Sequence, residues 1–585
     1  MNAKGTRLHV GRPLFKTGFA VALLASTALG GTLAYADDDF FFFQPGNLLL
    51  SKAVYNANPT IILGVTQLPP NCTTGNCVTA VAGGTYPTVF NNAPVDGSFG
   101  VTTKAVLDEL RTDGDFVQSL EIPNSSQRGV TASTDQMVTS FSSKSEMALN
   151  LSLDHRTVSL MGYLSPISAL DVSNSNTPQV VDPTNPVPST VFRLIASVDR
   201  FGRFRFTETN AYSGNNGRAA ILNNTNGANV YYTTGNAGNG GKHQPLGVIT
   251  GAGAQIVTPS NLPEAQQLGT AAPTPVGSFS ITELGDAADK VGKDTNFRGL
   301  RVFNNVIYTT KGSGGNGVNT VYFIDTTGNG SNGNPKACPN GSGVPNPAAT
   351  LPTTGIPFNA ATVPTQGVTP FNMCVLNGFP TSLAAATSPA PMFPFGVWFA
   401  DAKTLYVSDE GKPDNTFSTT SNTFTTAAAQ TTAGLQKWVL NETTNTWSLA
   451  YTLQAGLNLG VPYTVKNYPS GINAATGLPW SPATDGLRNI TGRVNRDGTA
   501  TIWAITSTVS GGGDQGADPN KLVMITDKIG ATTLPAHETF TTVRTAAFGE
   551  ALRGVSFTPG TDFDRDDRHA FGSCIFDRDD CRGDH

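Results

Sequence analysis

Residues 298–312 read RGLRVFNNVIYTTKG. Two short runs rich in β-branched and aromatic residues flank Asn304-Asn305, and a glycine closes the stretch. The pattern predicts a β-hairpin, because Asn tolerates the φ > 0 backbone that a primed two-residue turn demands. The unit recurs at 146–163 (EMALNLSLDHRTVSLMGY), 218–235 (RAAILNNTNGANVYYTTG), 395–411 (FGVWFADAKTLYVSDEG) and 487–508 (LRNITGRVNRDGTATIWAITST). Alternating third strands are expected at 191–199, 278–284, 320–325, 435–440 and 521–527. Fourth strands are expected at 201–209, 447–454 and 537–544. Four antiparallel strands per repeated unit is the grammar of a β-propeller.

The chain ends complete the pattern. Residues 552–557 (LRGVSF) look like a first strand with no second strand after it. Residues 47–55, 104–110 and 115–122 look like the second, third and fourth strands of that same unit. Pairing the two ends closes a ring and removes the exposed sheet edges that would aggregate. First strands then begin near residues 146, 218, 298, 395, 487 and 551, which predicts an all-β, six-bladed propeller. Seven blades is the alternative if an insertion hides a degenerate unit, and a β-helix or stacked sandwich competes. The spacing exceeds the roughly 40–45 residues of a compact blade. The excess falls in Gly-, Pro-, Asn- and Thr-rich stretches at 234–276, 328–371, 416–433 and 455–485, which read as surface insertions.

Composition sets the class. Of 585 residues, 14% are charged and 38% hydrophobic, with 63 Gly and 38 Pro. Coiled coils, collagens and charged disordered chains have other compositions. Lys4, Arg7, Arg12 and Lys16 precede an apolar stretch, and Ala34-Tyr35-Ala36 gives an A-x-A site, so residues 1–36 read as a secretory signal peptide. Its removal takes the net charge from −5 to −9. No basic stripe favours a nucleic acid, and no later stretch is apolar enough to cross a membrane. The domain reading is a signal peptide at 1–36, an extension at 37–46, a propeller at 47–560 and a charged tail at 561–585. An exported, periplasmic or extracellular chain with six Cys implies disulfides. Nearest neighbours would pair Cys72 with Cys77, Cys338 with Cys374 and Cys574 with Cys581, one of fifteen connectivities.

Leu405-Tyr406-Val407-Ser408-Asp409-Glu410-Gly411 and Asp485-Gly486-Leu487 resemble the hairpins of secreted six-bladed propellers of the NHL-repeat and gluconolactonase-like (SMP-30) superfamily. The resemblance covers the blade pattern and implies an extracytoplasmic binding module, a lactonase or a phosphoesterase. In the lactonase-like members Glu, Asp and Asn hold a metal near the axis. Here Glu146, Asp485 and Glu550 each precede a first strand, with Asn489 as a fourth candidate. Converging carboxylates are what Ca²⁺ needs, since it takes 6–8 oxygen ligands, and bound Ca²⁺ would polarise a lactone or phosphoester oxygen. The family's Asn-Gly ligand turn has no counterpart at matching positions. Arg218, Arg298, Arg488 and Arg553 occupy comparable positions and would instead pair with these acids.

Asp409 and Glu410 end a second strand, where a cation or substrate contact on the loop face competes with an exposed acidic turn. The histidines are scattered, and no nucleophile elbow, phosphate loop or zinc motif occurs. The tail repeats Phe563-Asp564-Arg565-Asp566-Asp567 as Phe576-Asp577-Arg578-Asp579-Asp580. The run Phe40–Phe43 would dock on the ring or meet a partner. Two functions compete: a monomeric binding or scaffold module for a small molecule, glycan or protein, and a Ca²⁺-assisted hydrolase at the channel mouth.

Overall fold

The computed structural model describes residues 41–563 apart from 56–64, 69–77, 80–101, 131–135, 141–144, 237–252, 260–277, 282–295, 313–317, 327–341, 355–370, 383–391, 512–517 and some single positions. The chain divides into Met1–Phe41, of which Phe41 alone is described, and Phe42–His585. The signal-peptide segment and five of the six cysteines lie outside the described residues. Cys374 is buried in a strand.

The strand pairings resolve six four-stranded antiparallel units among the described residues. Blade I runs outward from Glu550–Phe557 through Leu48–Val54 and Thr102–Leu110 to Phe116–Glu121. Its inner strand comes from the C-terminal end and its second from the N-terminal end, in the register Leu49↔Ser556. Blade II is Asn150–Leu151, Thr157–Tyr163, Arg193–Asp199 and Phe204–Thr209. Blade III is Gly217–Asn223, Val230–Gly235, Ala254–Val257 and Ser278–Ile281. Blade IV is Phe297–Phe303, Val306–Lys311, Thr320–Ile324 and Phe371–Leu376. Blade V is Pro394–Asp401, Thr404–Asp409, Gly434–Asn441 and Thr446–Leu453. Blade VI is Ala483–Val494, Thr499–Val509, Lys521–Lys528 and Thr541–Thr545. The inner strands of successive blades touch in cyclic order, with blade VI returning to blade I and blade I to blade II.

One expected strand changes role, and one expected insertion ends in a strand. The stretch 278–284 was expected to be the third strand of its unit. It is the fourth, because Ala254–Val257 inside the supposed insertion pairs with Val230–Gly235 first. The end of the 328–371 stretch likewise enters the ladder, as Phe371–Leu376 closes blade IV. Asn304 and Asn305 take φ values of 46° and 60°, as the hairpin turn demands.

The apolar core is a ring of inter-blade seams. One cluster joins blades II to V, a second joins V to VI, and a third joins VI to I. Phe303 of blade IV stacks on Phe399 of blade V at 4.5 Å, and Trp503 of blade VI meets Phe557 of blade I edge-on at 5.5 Å. Between blades V and VI the buried Lys437 pairs with Asp527 at 2.9 Å, and the Tyr406 and Tyr451 hydroxyls donate to the same carboxylate. Of the phenylalanine run, Phe43 is fully buried and its N–H donates to the Arg200 carbonyl, so this part of the run docks on the ring.

Near the axis the blades are joined by a closed cycle of hydrogen bonds. Ser51 Oγ of blade I donates to Met147 O at 2.7 Å. The Ala148 N–H donates to Arg218 O at 3.3 Å, and Thr234 Oγ1 to Arg298 O at 3.4 Å. Thr310 Oγ1 donates to Phe395 O at 2.5 Å, and Ser408 Oγ to Arg488 O. Asn489 Nδ2 donates to Arg553 O at 2.7 Å and returns the cycle to blade I. In three blades the same hydroxyl also accepts from its own inner strand, from Gly554, Gly299 and Gly396 N–H at 2.8, 2.8 and 2.6 Å. Those glycines are where backbones approach most closely. A Cβ on Gly396 would lie 2.8 Å from Arg488 O, and one on Gly299 or Gly554 would strike Phe395 O or Met147 O.

Removing one bridging hydroxyl leaves a buried carbonyl and a buried N–H unsatisfied, which costs about 1–3 kcal/mol per group. Thr310→Val and Ser408→Ala should each lower the unfolding free energy measured by urea titration by that order. Thr310→Ser, which keeps the hydroxyl, should stay near the parent.

Candidate functional site

The sequence places its candidate residues at the start of the inner strands. Arg218, Arg298, Arg488 and Arg553 are all buried there. Arg298 Nη1 lies 3.4 Å from Glu410 Oε1, and Arg488 Nε lies 3.2 Å from Glu410 Oε2. Glu410 of blade V therefore ties blade IV to blade VI. Arg218 donates to Asn216 Oδ1 at 3.1 Å and to Phe297 O at 3.0 Å. Burial pushes its guanidinium well below the usual range, and repulsion from Arg298 adds to the effect.

The four residues expected to hold Ca²⁺ do not converge. Glu146 accepts from Thr139 Oγ1 at 2.6 Å, Ser140 N at 2.9 Å, Asn216 Nδ2 at 3.4 Å and the Tyr163 hydroxyl. Asp485 accepts from Gln430 Nε2 at 2.6 Å. Glu550 pairs with Lys52 at 2.8 Å. Asn489 is spent on the inter-blade bond to Arg553 O. No group of three or more His, Cys, Asp or Glu among the described residues is placed to hold a metal ion. The reason is that each acid finds donors in other segments packed against it.

Asp409 and Glu410 are likewise not loop-face contacts. Both are buried. Asp409 accepts from Phe393 N at 2.8 Å, Gly411 N at 2.9 Å and Gln436 Nε2 at 3.2 Å. Burial nevertheless dominates and pushes its carboxyl from 3.8 up to about 7.

Two of the cavities among the described residues bear on function. The smaller, about 110 Å³, lies on the axis beyond the arginines and is walled by inner strands of all six blades. Its polar lining includes Asn150, Arg301, Asn489 and Thr491, and its apolar lining Ile221, Leu300, Val397 and Trp398. Phe563 also lines it, edge-on to His155 and to Phe557 at 5.2 Å each.

The larger is a cleft of about 960 Å³ between blades II and III, on the face that carries the inner hairpin turns. It is lined by Arg156, Arg200, Arg203 and Arg205, by Asp154, Asp199 and Asp562, and by Phe201 and Tyr231. Arg203 makes two contacts of 2.7 Å with Asp199. Arg156 lies 3.7 Å from Asp154. Arg200 sits over the Phe42 and Phe201 rings at 5.9 and 5.5 Å, and its buried Nε has no hydrogen-bond acceptor. Arg205 is exposed. The cleft escapes a reading based on strand starts, because its residues lie on turns and outer strands. One signal points to it: residues 199–205 read DRFGRFR, three arginines within six positions of a charge-poor chain.

No family model and no curated protein matches this chain. Among solved structures, a GH74 enzyme from Niastella koreensis is similar over 75% of this chain and 44% of its own length, at 9% identity and a TM-score of 0.27. The chain thus spans less than half of that enzyme. An apocarotenoid oxygenase variant from Synechocystis is similar over 86% of this chain and 95% of its own, at 8% identity and a TM-score of 0.28.

Asp409 gives a pH signature. A carboxyl whose folded pKa lies above its unfolded value takes up a proton on folding, so its contribution is fully present below about pH 4 and is lost as pH rises to about 7. The melting temperature of Asp409→Asn should therefore gain on that of the parent as pH rises from 4 to 8. A constant difference across that window would exclude the effect.

Proposed function

We propose that this chain is an exported binding module whose ligand lodges in the cleft between blades II and III. The exported state rests on residues 1–36, read as a signal peptide. The observation that carries the binding reading is the cleft's combination of size and charge. Its volume of about 960 Å³ is at the upper end of the range of about 300–1,000 Å³ usual for small-molecule sites. Four arginines line it in a chain of net charge −5. Two of them are held by aspartates of the same lining, while no ion pair among the described residues engages Arg200 or Arg205.

A guanidinium presents a planar fork that suits carboxylate or phosphate oxygens, and its face stacks on rings. Phe201 and Tyr231 add aromatic surface beside it. The ligand class that fits is an anion larger than a simple oxyanion, with a planar or apolar body: an acidic sugar or an aromatic carboxylate. The resemblance to secreted binding propellers agrees with such a role. The calcium-assisted hydrolase has no assembled carboxylate cluster among the described residues to support it.

Calorimetric titration with uronic-acid oligosaccharides, aromatic carboxylates and their neutral counterparts tests the reading. Acidic members should bind, and raised salt should weaken them. Each of Arg200→Gln and Arg205→Gln should weaken binding about tenfold, the scale of one charge-assisted hydrogen bond. Equal binding of neutral counterparts, or unchanged affinity in the double variant, would overturn it.

A further inference from the structure

We infer that the axial chamber is a second, separate site that takes a small monocarboxylate, held by Arg301 and Asn150. The chamber's lining contains one arginine and one histidine among its titratable side chains, and no Asp or Glu. Arg301 lies on the inner strand of blade IV, and its buried Nε has no hydrogen-bond acceptor. Burial alone pulls its guanidinium down to about 10, since no acid stands near enough to oppose the shift. On the inner strand of blade II, the buried Asn150 Nδ2 in the same wall also has no acceptor. Buried donors are satisfied in nearly all folded proteins, so two without acceptors in the wall of one cavity call for an acceptor inside it.

The chemistry of the occupant follows from the wall. One guanidinium without a carboxylate partner matches a single negative charge, and its fork suits two oxygens in a plane. Ile221, Leu300, Val302, Val397 and Ile490 give the rest of the chamber an aliphatic surface for a short tail. A volume of about 110 Å³ admits only a few heavy atoms, well below a drug-sized ligand. These features select acetate- to butyrate-sized acids over phosphate, which carries more than one charge at neutral pH. The inference stands independently of the cleft, whose arginines are on blade II.

Trp398 lines the chamber and provides the readout. The full chain should be titrated at pH 7 with acetate, propionate, butyrate and inorganic phosphate, following tryptophan fluorescence and calorimetric heat. The expected result is a saturable response to the carboxylates and none to phosphate. Arg301→Gln should weaken carboxylate binding by ten- to a hundredfold. Arg301→Lys, which keeps the charge but not the fork, should fall between. Arg205→Gln, a cleft substitution, should leave these affinities unchanged, so failure here is distinguishable from failure at the cleft. Absence of a saturable response in the parent protein, binding of phosphate alone, or equal carboxylate affinity in a folded Arg301→Gln protein would each overturn the assignment. Should Arg301→Gln fail to fold, the parent titration and Arg301→Lys decide.

Discussion

A cycle of six inter-blade hydrogen bonds around the axis is the constraint on which the rest of the molecule depends. Each inner strand, or at Met147 the segment leading into it, offers a carbonyl, at Met147, Arg218, Arg298, Phe395, Arg488 or Arg553, and the preceding blade supplies its donor. The bonds form only if neighbouring backbones approach within van der Waals contact, and glycine at 299, 396 and 554 permits that approach. Once the backbones are that close, the apolar faces of adjacent blades must meet as seams, and the core becomes a ring. The cycle has no free end only because Glu550–Phe557 pairs with Leu48–Val54. Closure therefore depends on residues some 500 positions apart.

The same close approach governs the charges. Arginines at the inner-strand starts are carried into the interior, where an isolated cation is costly. Glu410 answers Arg298 and Arg488 together, and backbone carbonyls and asparagines answer Arg218. An acid that looks like a surface turn in the sequence thus becomes a link between three blades. Glu146, Asp485 and Glu550 meet donors in nearby segments before they can meet one another. Among the described residues, the acids at this end of the axis are held in a lattice of ion pairs and hydrogen bonds.

What the lattice leaves over is informative. Arg301 in the chamber and Arg200 in the cleft both keep a buried Nε without an acceptor. Both sites are cationic in a chain whose net charge is −5. They differ in scale and in setting: one is a narrow space walled by all six blades, the other a broad cleft on one face between two blades. A propeller suits such a division, since its axis is built from rigid strands while its faces are built from turns that vary without disturbing the ring.

Hairpins, their turns and the closing pair were legible because they are local. Asn304-Asn305 announces its own turn, and a first strand at 552–557 with no sequel asks for a partner at the other end of the chain. Strand order within blades III and IV was not legible, because Ala254–Val257 and Phe371–Leu376 are short strands beside long polar insertions, and only the ladder shows that they pair. Positions near the axis could be named from the sequence, but their partners could not. Whether Glu410 faces water or two arginines depends on how blades IV, V and VI are set around the ring, which no periodicity along one strand encodes. The cleft and the chamber are gaps between blades, so their residues come together only when tertiary packing fixes the distance from one blade to the next.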